Sequence, residues 1–354
     1  MYPRTKSLEQ VQAEYGNQFN GDVADEYLPS IGMGDNPRLA LSVTARKLGD
    51  DTMFNAAIIN LETGAQEAGE TADYRGIEDG VRAMEELAWR LTEQNYTAGD
   101  APSFAQAIAA VNRDTSGGLY TITLNGSFTS DSVTFTANAA KTITLKGEGG
   151  TRVITNSGNG PLFTVPAGLT LVLDSGVTLD GGKKNARLAW VDGGTLVMRD
   201  GSTLRGSAEG GVSVYGGGSF EMSGGTISGN TASYGNGGGV YVYSGSFTMS
   251  GGTISGNTAR DNGGGVCVGF SNGSFTMSGG TISGNRASDD YGGGVYIAGD
   301  SFVKRGGGTI DAANSAKEGR VVYVYGTPRK VRNSAAGPGV NLDSGVAGSA
   351  GGWE

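Results

Sequence analysis

The sequence predicts a mainly β fold, a parallel β-helix of about eight coils, on three observations. The stretch "GSFTMSGGTISGNTA" at Gly245 recurs almost unchanged, and Phe220, Phe247, Phe275 and Phe302 mark a period of about 27 residues. Within each copy, three short runs between glycines alternate apolar and polar residues, as β-strands do. Glycine contributes 65 of the 354 residues, which disfavours helix. A period of this length is typical of solenoids.

In such a solenoid each strand pairs with its equivalent one coil away, so that like residues stack in columns. Inward columns of Phe, Met, Ile and Val fill a narrow core, and amides stacked at a turn can hydrogen-bond along the axis. The structural residues predicted in this way are the inward Phe220, Phe247 and Phe275 and the turn residues Asn230, Asn257 and Asn285.

The composition changes near residue 100. Residues 1–100 carry 8 Lys or Arg against 18 Asp or Glu, whereas the remainder is almost neutral. Alternation over 38–48 and 52–64 predicts a strand pair, and apolar spacing predicts helices over 7–16 and 76–94. The predicted organisation is a small acidic α/β domain at 1–94, a linker at 95–102, the β-helix at 103–335 and a C-terminal capping tail at 336–354.

A solenoid needs covered ends, and the start of the β-helix carries a suitable segment. Phe104, Ile108 and Val111 recur at helical spacing, and Ser103 before them could cap a helix. We therefore expect an amphipathic capping helix over the first coil.

Two resemblances add to these predictions. On its "GGTI" and "GN" repeats, 101–354 resembles bacterial right-handed parallel β-helix repeat proteins of the pectin-lyase-like architecture, closest to surface and autotransporter-type members. The segment "SLEQVQAEYGNQFNGDVADEYLPSIG", with the strand pair and "INLETGAQ", resembles the curli-secretion-lipoprotein and TolB-amino-terminal-like periplasmic domain, lacking that family's opening strand and helix. The resemblances imply right-handed coils and an extracellular, outer-surface or periplasmic location.

Several kinds of chemistry are disfavoured by composition. The chain contains no histidine and one cysteine, which excludes histidine-based catalysis, imidazole zinc sites and intrachain disulfides. A formal charge of −9 argues against a nucleic-acid partner. We predict no cofactor. Calcium is chemically possible at Asp289 and Asp290, but these adjacent carboxylates lack a ligand loop. No apolar run is long enough to span a membrane as a helix, and the start, "MYPRTKSLEQ", lacks the apolar core of a signal peptide.

Enzymes of the pectin-lyase-like architecture are polysaccharide lyases and hydrolases, so we considered a lyase site. The candidate catalytic residues are Asp174, Asp180, Arg199, Asp200 and Arg205. Register offers another interpretation, because it places Asp174 beside Arg199 and Asp180 beside Arg205 on neighbouring coils. These would then be cross-strand ion pairs.

A binding surface is the other candidate site. Tyr215, Tyr241, Tyr243 and Tyr296 alternate with inward valines and are expected to face outward. They could contact sugar rings or a protein partner, or simply stack on one another. Cys267 occupies the same column and is expected to be partly exposed.

Together these observations favour a non-enzymatic cell-surface or periplasmic scaffold that binds polysaccharide or a surface protein through its sheet face. The alternatives are a polysaccharide lyase-like enzyme and an envelope-assembly accessory protein acting through the first domain.

Overall fold

The computed structural model describes residues 31–32, 39–48, 51–60, 66–74, 94–137, 139–269, 271–298, 301–304, 307–325, 329–332 and 346–348. The chain divides into two compact units, Met1–Thr92 and Glu93–Glu354.

The described part of the first unit is a four-stranded antiparallel sheet. Its strands are Ile31–Gly32, Leu39–Leu48, Asp51–Asn60 and Gln66–Tyr74. The predicted strand pair is confirmed, with Leu48 opposite Asp51 at the turn. The helices predicted at 7–16 and 76–94 lie outside the described residues, apart from Gln94, which begins a strand.

The described part of the second unit is a parallel β-helix built from three long sheets. Sheet I consists of Gln94–Ala98, Gly118–Leu124, Lys141–Gly147, Leu169–Leu173, Thr195–Met198, Gly218–Met222, Gly245–Met249, Gly273–Met277, Ser301–Lys304 and Arg329–Arg332. Sheet II consists of Phe128–Ser130, Arg152–Asn156, Val177–Asp180, Thr203–Arg205, Thr226–Ser228, Thr253–Ser255, Thr281–Ser283 and Thr309–Ile310. Sheet III consists of Val133–Thr134, Phe163–Pro166, Ala189–Asp192, Val212–Tyr215, Val240–Val242, Val266–Val268, Val295–Ile297, Val322–Val324 and Val346–Gly348.

Each coil passes through the three sheets in turn, which gives about nine turns over the described residues, close to the eight predicted. A short fourth sheet joins the loops that follow the asparagine turns, residues 231–237, 258–263 and 286–292, which we call the variable loops. It consists of Thr231–Ala232, Thr258–Ala259 and Arg286–Ala287.

The register stacks like residues on like, as predicted. Phe220, Phe247 and Phe275 pair in sequence along sheet I and are buried. Their ring centroids are 4.7 and 4.8 Å apart, and Phe302 extends the stack at 5.3 Å. This spacing equals the distance between neighbouring strands, so the rings lie face over face without distorting the sheet.

The predicted asparagine column forms a buried ladder at the turn after sheet II. Nδ2 of Asn230 donates to Oδ1 of Asn257 at 3.1 Å, and Nδ2 of Asn257 donates to Oδ1 of Asn285 at 3.0 Å. Asn314 continues the ladder at 3.0 Å from Asn285. The backbone N–H groups of the first three asparagines donate to the same Oδ1 atoms, so each of these oxygens accepts two hydrogen bonds from the preceding coil.

The predicted capping helix, α1, spans Ala101–Arg113 and buries Phe104, Ile108 and Val111. Its N-cap is Asp100 rather than the predicted Ser103. Asp100 accepts a 2.9 Å hydrogen bond from the Ser103 backbone, and Ser103 completes a capping box. At the other end, the buried Lys141 Nζ donates to the Val111 carbonyl at 2.7 Å, tying α1 to the first coils.

Two predicted boundary segments contain regular structure. Within 95–102, predicted as a linker, most residues belong to the strand Gln94–Ala98, which pairs with Gly118–Leu124, or to the start of α1. Within the predicted tail, Val346–Gly348 pairs with Val322–Val324 and so extends sheet III.

Candidate functional site

The outer side of sheet III carries a patch of aromatic residues, which we call the aromatic face and define as Trp190, Tyr215, Tyr241 and Tyr243. Strand alternation produces it, because each of these residues is next to a valine that is buried in the core. Register places Trp190, Ser213 and Tyr241 in one outward column on three successive coils.

The rings of the aromatic face contact one another across these coils. Trp190 and Tyr215 stack with centroids 4.3 Å apart and planes within 6°. Tyr215 also stacks on Tyr243 at 5.1 Å and meets Tyr241 edge-on at 6.1 Å. Tyr243 is 40% exposed, whereas Trp190, Tyr215 and Tyr241 are half-buried. The patch is therefore a continuous aromatic surface with Tyr243 as its most accessible ring.

The structure corrects the exposure predicted for Tyr296. This ring is only 5% exposed and stacks on Tyr323 at 5.6 Å, so it is not available as a contact surface. Tyr323 in turn stacks on Tyr291 at 4.4 Å. The alternation correctly placed Tyr296 on the outer side, but neighbouring groups cover it.

Cys267 is a second correction. We expected a partly exposed thiol, and it is buried, with 1% exposure. It lies in register between Tyr241 and Tyr296, so larger neighbours in the column flank a small side chain. Burial raises the pKa of the Cys267 thiol, an effect that the positive charge of Arg187 opposes.

Arg187 was not predicted as part of this surface. It ends the loop "GGKKNAR" before the strand Ala189–Asp192, and its Cζ lies 5.6 Å from the centroid of the Tyr241 ring. This is a cation–π distance. Two features of the sequence could have indicated its position. The loop that contains Arg187 departs from the plain repeat, and the otherwise aromatic column contains two small residues, Ser213 and Cys267, which leave room for a long side chain.

The acidic and basic candidates form two exposed ion pairs. Arg199 Nη1 lies 3.2 Å from Asp174 Oδ2, and Arg205 Nε lies 2.9 Å from Asp180 Oδ2. This confirms the pairing expected from register. Asp200 is exposed and forms no ion pair with any described residue.

The variable loops lie side by side on neighbouring coils, joined by the short fourth sheet. Asn262 Nδ2 donates to Asn236 Oδ1 at 3.0 Å, and Arg260 pairs with Asp289 at 3.3 Å. In the part of the chain that the structure describes, no group of three or more Cys, Asp or Glu side chains is arranged to hold a metal ion. The described residues also include no helix long and apolar enough to cross a membrane.

Comparison with known proteins identifies the class of fold. A family model described as right handed beta helix region matches residues 188–323, the span that contains the aromatic face. With the sheet topology, this match makes the second unit a right-handed parallel β-helix repeat structure. No curated protein and no solved structure matched the chain.

Proposed function

We propose that this chain is a non-enzymatic scaffold of the cell surface or periplasm that binds a polysaccharide through its aromatic face. The observation that carries the proposal is the stack of Trp190, Tyr215 and Tyr243, which presents one continuous aromatic surface on a rigid sheet. Aromatic rings combine a large apolar area with a polar edge, a combination suited to the mixed surface of a sugar ring. A protein partner is the second candidate for the same surface.

The fold suits this role because repeated coils hold the rings at fixed spacing. The backbone of each coil is hydrogen-bonded to the next, and the core beneath the rings consists of stacked valines that are fully buried. Binding groups on such a scaffold lose little conformational freedom when they bind a ligand.

The proposal is tested by incubating the purified chain with acidic and neutral polysaccharides, with and without calcium, and measuring both retention and product masses. We expect retention without cleavage, lost in Tyr243→Ala and kept in Tyr234→Ala. Tyr234 is a matched control, because it is 75% exposed but lies in a loop outside the aromatic face. Retention that survives Tyr243→Ala would contradict the proposal. New oligosaccharides that disappear in Arg199→Ala would instead support the lyase alternative.

A further inference from the structure

Arg187 lies against the aromatic face, in space that the small residues Gly210 and Ser213 leave open. Its guanidinium extends along the solenoid axis to the Tyr241 ring, two coils further on. On the intervening coil, a Cβ added to Gly210 would come within 2.6 Å of Arg187 Nη1. Ser213, on the same coil, occupies the outward column between Trp190 and Tyr241.

The guanidinium has no polar partner in the described part of the chain. Nη1 is buried without a hydrogen-bond acceptor, and no described carboxylate lies within the 4.0 Å of an ion pair. Burial lowers the pKa of Arg187, while Tyr215 and Glu209 oppose the shift. Burying a charged donor without an acceptor is costly. The Tyr241 ring offsets part of the charge but accepts no conventional hydrogen bond from Nη1.

Ser213 supplies a second unpaired group at the same place. The residue is 0% exposed although strand alternation points it outward, in register with Trp190 on one side and Tyr241 on the other. Its Oγ is buried and has no hydrogen-bond partner among the described residues. Two unpaired hydrogen-bond donors therefore lie on adjoining coils of the aromatic face. Arg187 as a whole is only half-buried, so it keeps contact with the surface.

We propose that Arg187 binds an oxyanion carried by the glycan that contacts the aromatic face. A carboxylate or a sulfate accepts several hydrogen bonds at once and neutralises the guanidinium, which pairs well with planar oxyanions. A sugar ring that bears such a group would place its apolar side on the aromatic rings and its charge on Arg187. This inference rests on the proposed function and specifies its ligand as an acidic saccharide.

The test compares three probes on the full-length chain by calorimetry. The probes are a hyaluronan hexasaccharide, the same hexasaccharide as its carboxyl methyl ester, and a chondroitin sulfate hexasaccharide. We expect the wild-type chain to bind an acidic probe at least about tenfold more tightly than the ester, because only the former offers an oxyanion. Both acidic probes carry uronate carboxylates and only chondroitin sulfate carries sulfate, so tighter binding of chondroitin sulfate would indicate a contact with sulfate, whereas equal binding of the two would assign the carboxylate.

Arg187→Gln is expected to abolish this preference by lowering the affinity for the acidic probes to that for the ester. Arg286→Gln, which removes an exposed charge from the variable loops, is the matched control and should keep the preference. Thermal unfolding checks the fold of each variant. If Arg187→Gln fails to fold, Arg187→Lys takes its place; it keeps the charge but loses the planar fork of donors, and is expected to weaken acidic-probe binding about threefold.

Three outcomes would overturn the inference, and they separate it from the proposed function. Equal binding of ester and acid that is lost in Tyr243→Ala would leave the aromatic face intact as a binding surface and remove the oxyanion site. An unchanged preference in Arg187→Gln would place the oxyanion elsewhere. No binding of any probe to the wild-type chain would contradict the proposed function together with this inference.

Discussion

Asn257 and Asn285 form a direct contact between adjacent coils: Nδ2 of Asn257 donates to Oδ1 of Asn285 at 3.0 Å, in full burial. The same Oδ1 accepts the backbone N–H of Asn257 at 3.0 Å. One amide therefore satisfies two donors of the preceding coil. Buried polar groups require such partners, which explains why the repeat carries asparagine at this turn rather than another small polar residue.

Replacing Asn257 by alanine is expected to destabilise the β-helix. The change removes the acceptor of the Asn230 backbone and side chain and leaves buried donors unpaired. The expected loss in the free energy of unfolding is about 1–3 kcal/mol for each donor left without a partner. Urea denaturation followed by circular dichroism measures it.

Asn262→Ala is the control for that prediction. Asn262 makes a similar amide contact, Nδ2 to Asn236 Oδ1 at 3.0 Å, but is only half-buried, so water can replace the lost group. Equal losses at Asn257 and Asn262 would show that burial of the ladder is not what makes it stabilising.

The phenylalanine stack is expected to be the most sensitive part of the core. Phe247 is buried between Phe220 and Phe275, so Phe247→Ala opens a cavity that the rigid coils cannot close. The expected loss is about 3–5 kcal/mol in the free energy of unfolding. The neighbouring Thr248→Ala, on the exposed side of the same strand, should change it little. A loss at Phe247 no larger than at Thr248 would contradict the observed inward orientation.

The ion pair between Arg199 and Asp174 is expected to contribute little. Both side chains are partly exposed, 53% and 29%, so solvent screens their attraction. A double-mutant cycle with alanine at both positions should give a coupling energy of about 1 kcal/mol or less, falling as salt is added. A larger coupling that persists in high salt would be inconsistent with a simple surface pair.

Cys267 is expected to resist thiol reagents until the chain unfolds. Burial raises the pKa of its thiol in the folded state, so the unfolded chain loses this proton first as pH rises. The stability contributed by the buried thiol is thus fully present below its ordinary pKa of 9.0 and declines above it. Labelling with Ellman's reagent and urea denaturation between pH 7 and 10 measure both effects.

Cys267→Ala provides the comparison for the pH dependence. In this variant the free energy of unfolding should fall less between pH 7 and 10, because the contribution of the thiol is absent. Native labelling as fast as in urea would show that the side chain is accessible and would refute its burial.

The repeat made the core predictable, whereas the outer surface was predictable only in part. Like residues such as Phe220 and Phe247 recur at one period, and in a solenoid the period alone places them in contact. Alternation also placed Cys267 and Tyr296 on the outer side correctly. Their exposure depends on what covers them, and the covering groups include side chains on neighbouring coils.

Arg187 shows most clearly which contacts the sequence pattern could not predict. It lies outside the repeated motif, and its contact with Tyr241 spans two coils in a direction that strand alternation does not describe. The strand Gln94–Ala98 was also not predicted, because its sequence does not resemble the repeat. It lies at the end of sheet I and pairs with a neighbouring strand on one side only. Pairing with the following strand, rather than local sequence, makes it part of the solenoid.

The most direct test of ligand binding at the aromatic face is the fluorescence of Trp190, one of three tryptophans in the chain. In a variant that carries Trp89→Phe and Trp353→Phe, the tryptophan fluorescence comes from Trp190 alone. The centroid of its ring lies 4.3 Å from that of Tyr215, within the aromatic face. Titration with the hyaluronan and chondroitin sulfate hexasaccharides is expected to change its emission saturably, at the same midpoint that calorimetry gives, and Tyr243→Ala should abolish the change. Saturable binding by calorimetry with unchanged Trp190 emission would show that the glycan binds elsewhere and would contradict this account.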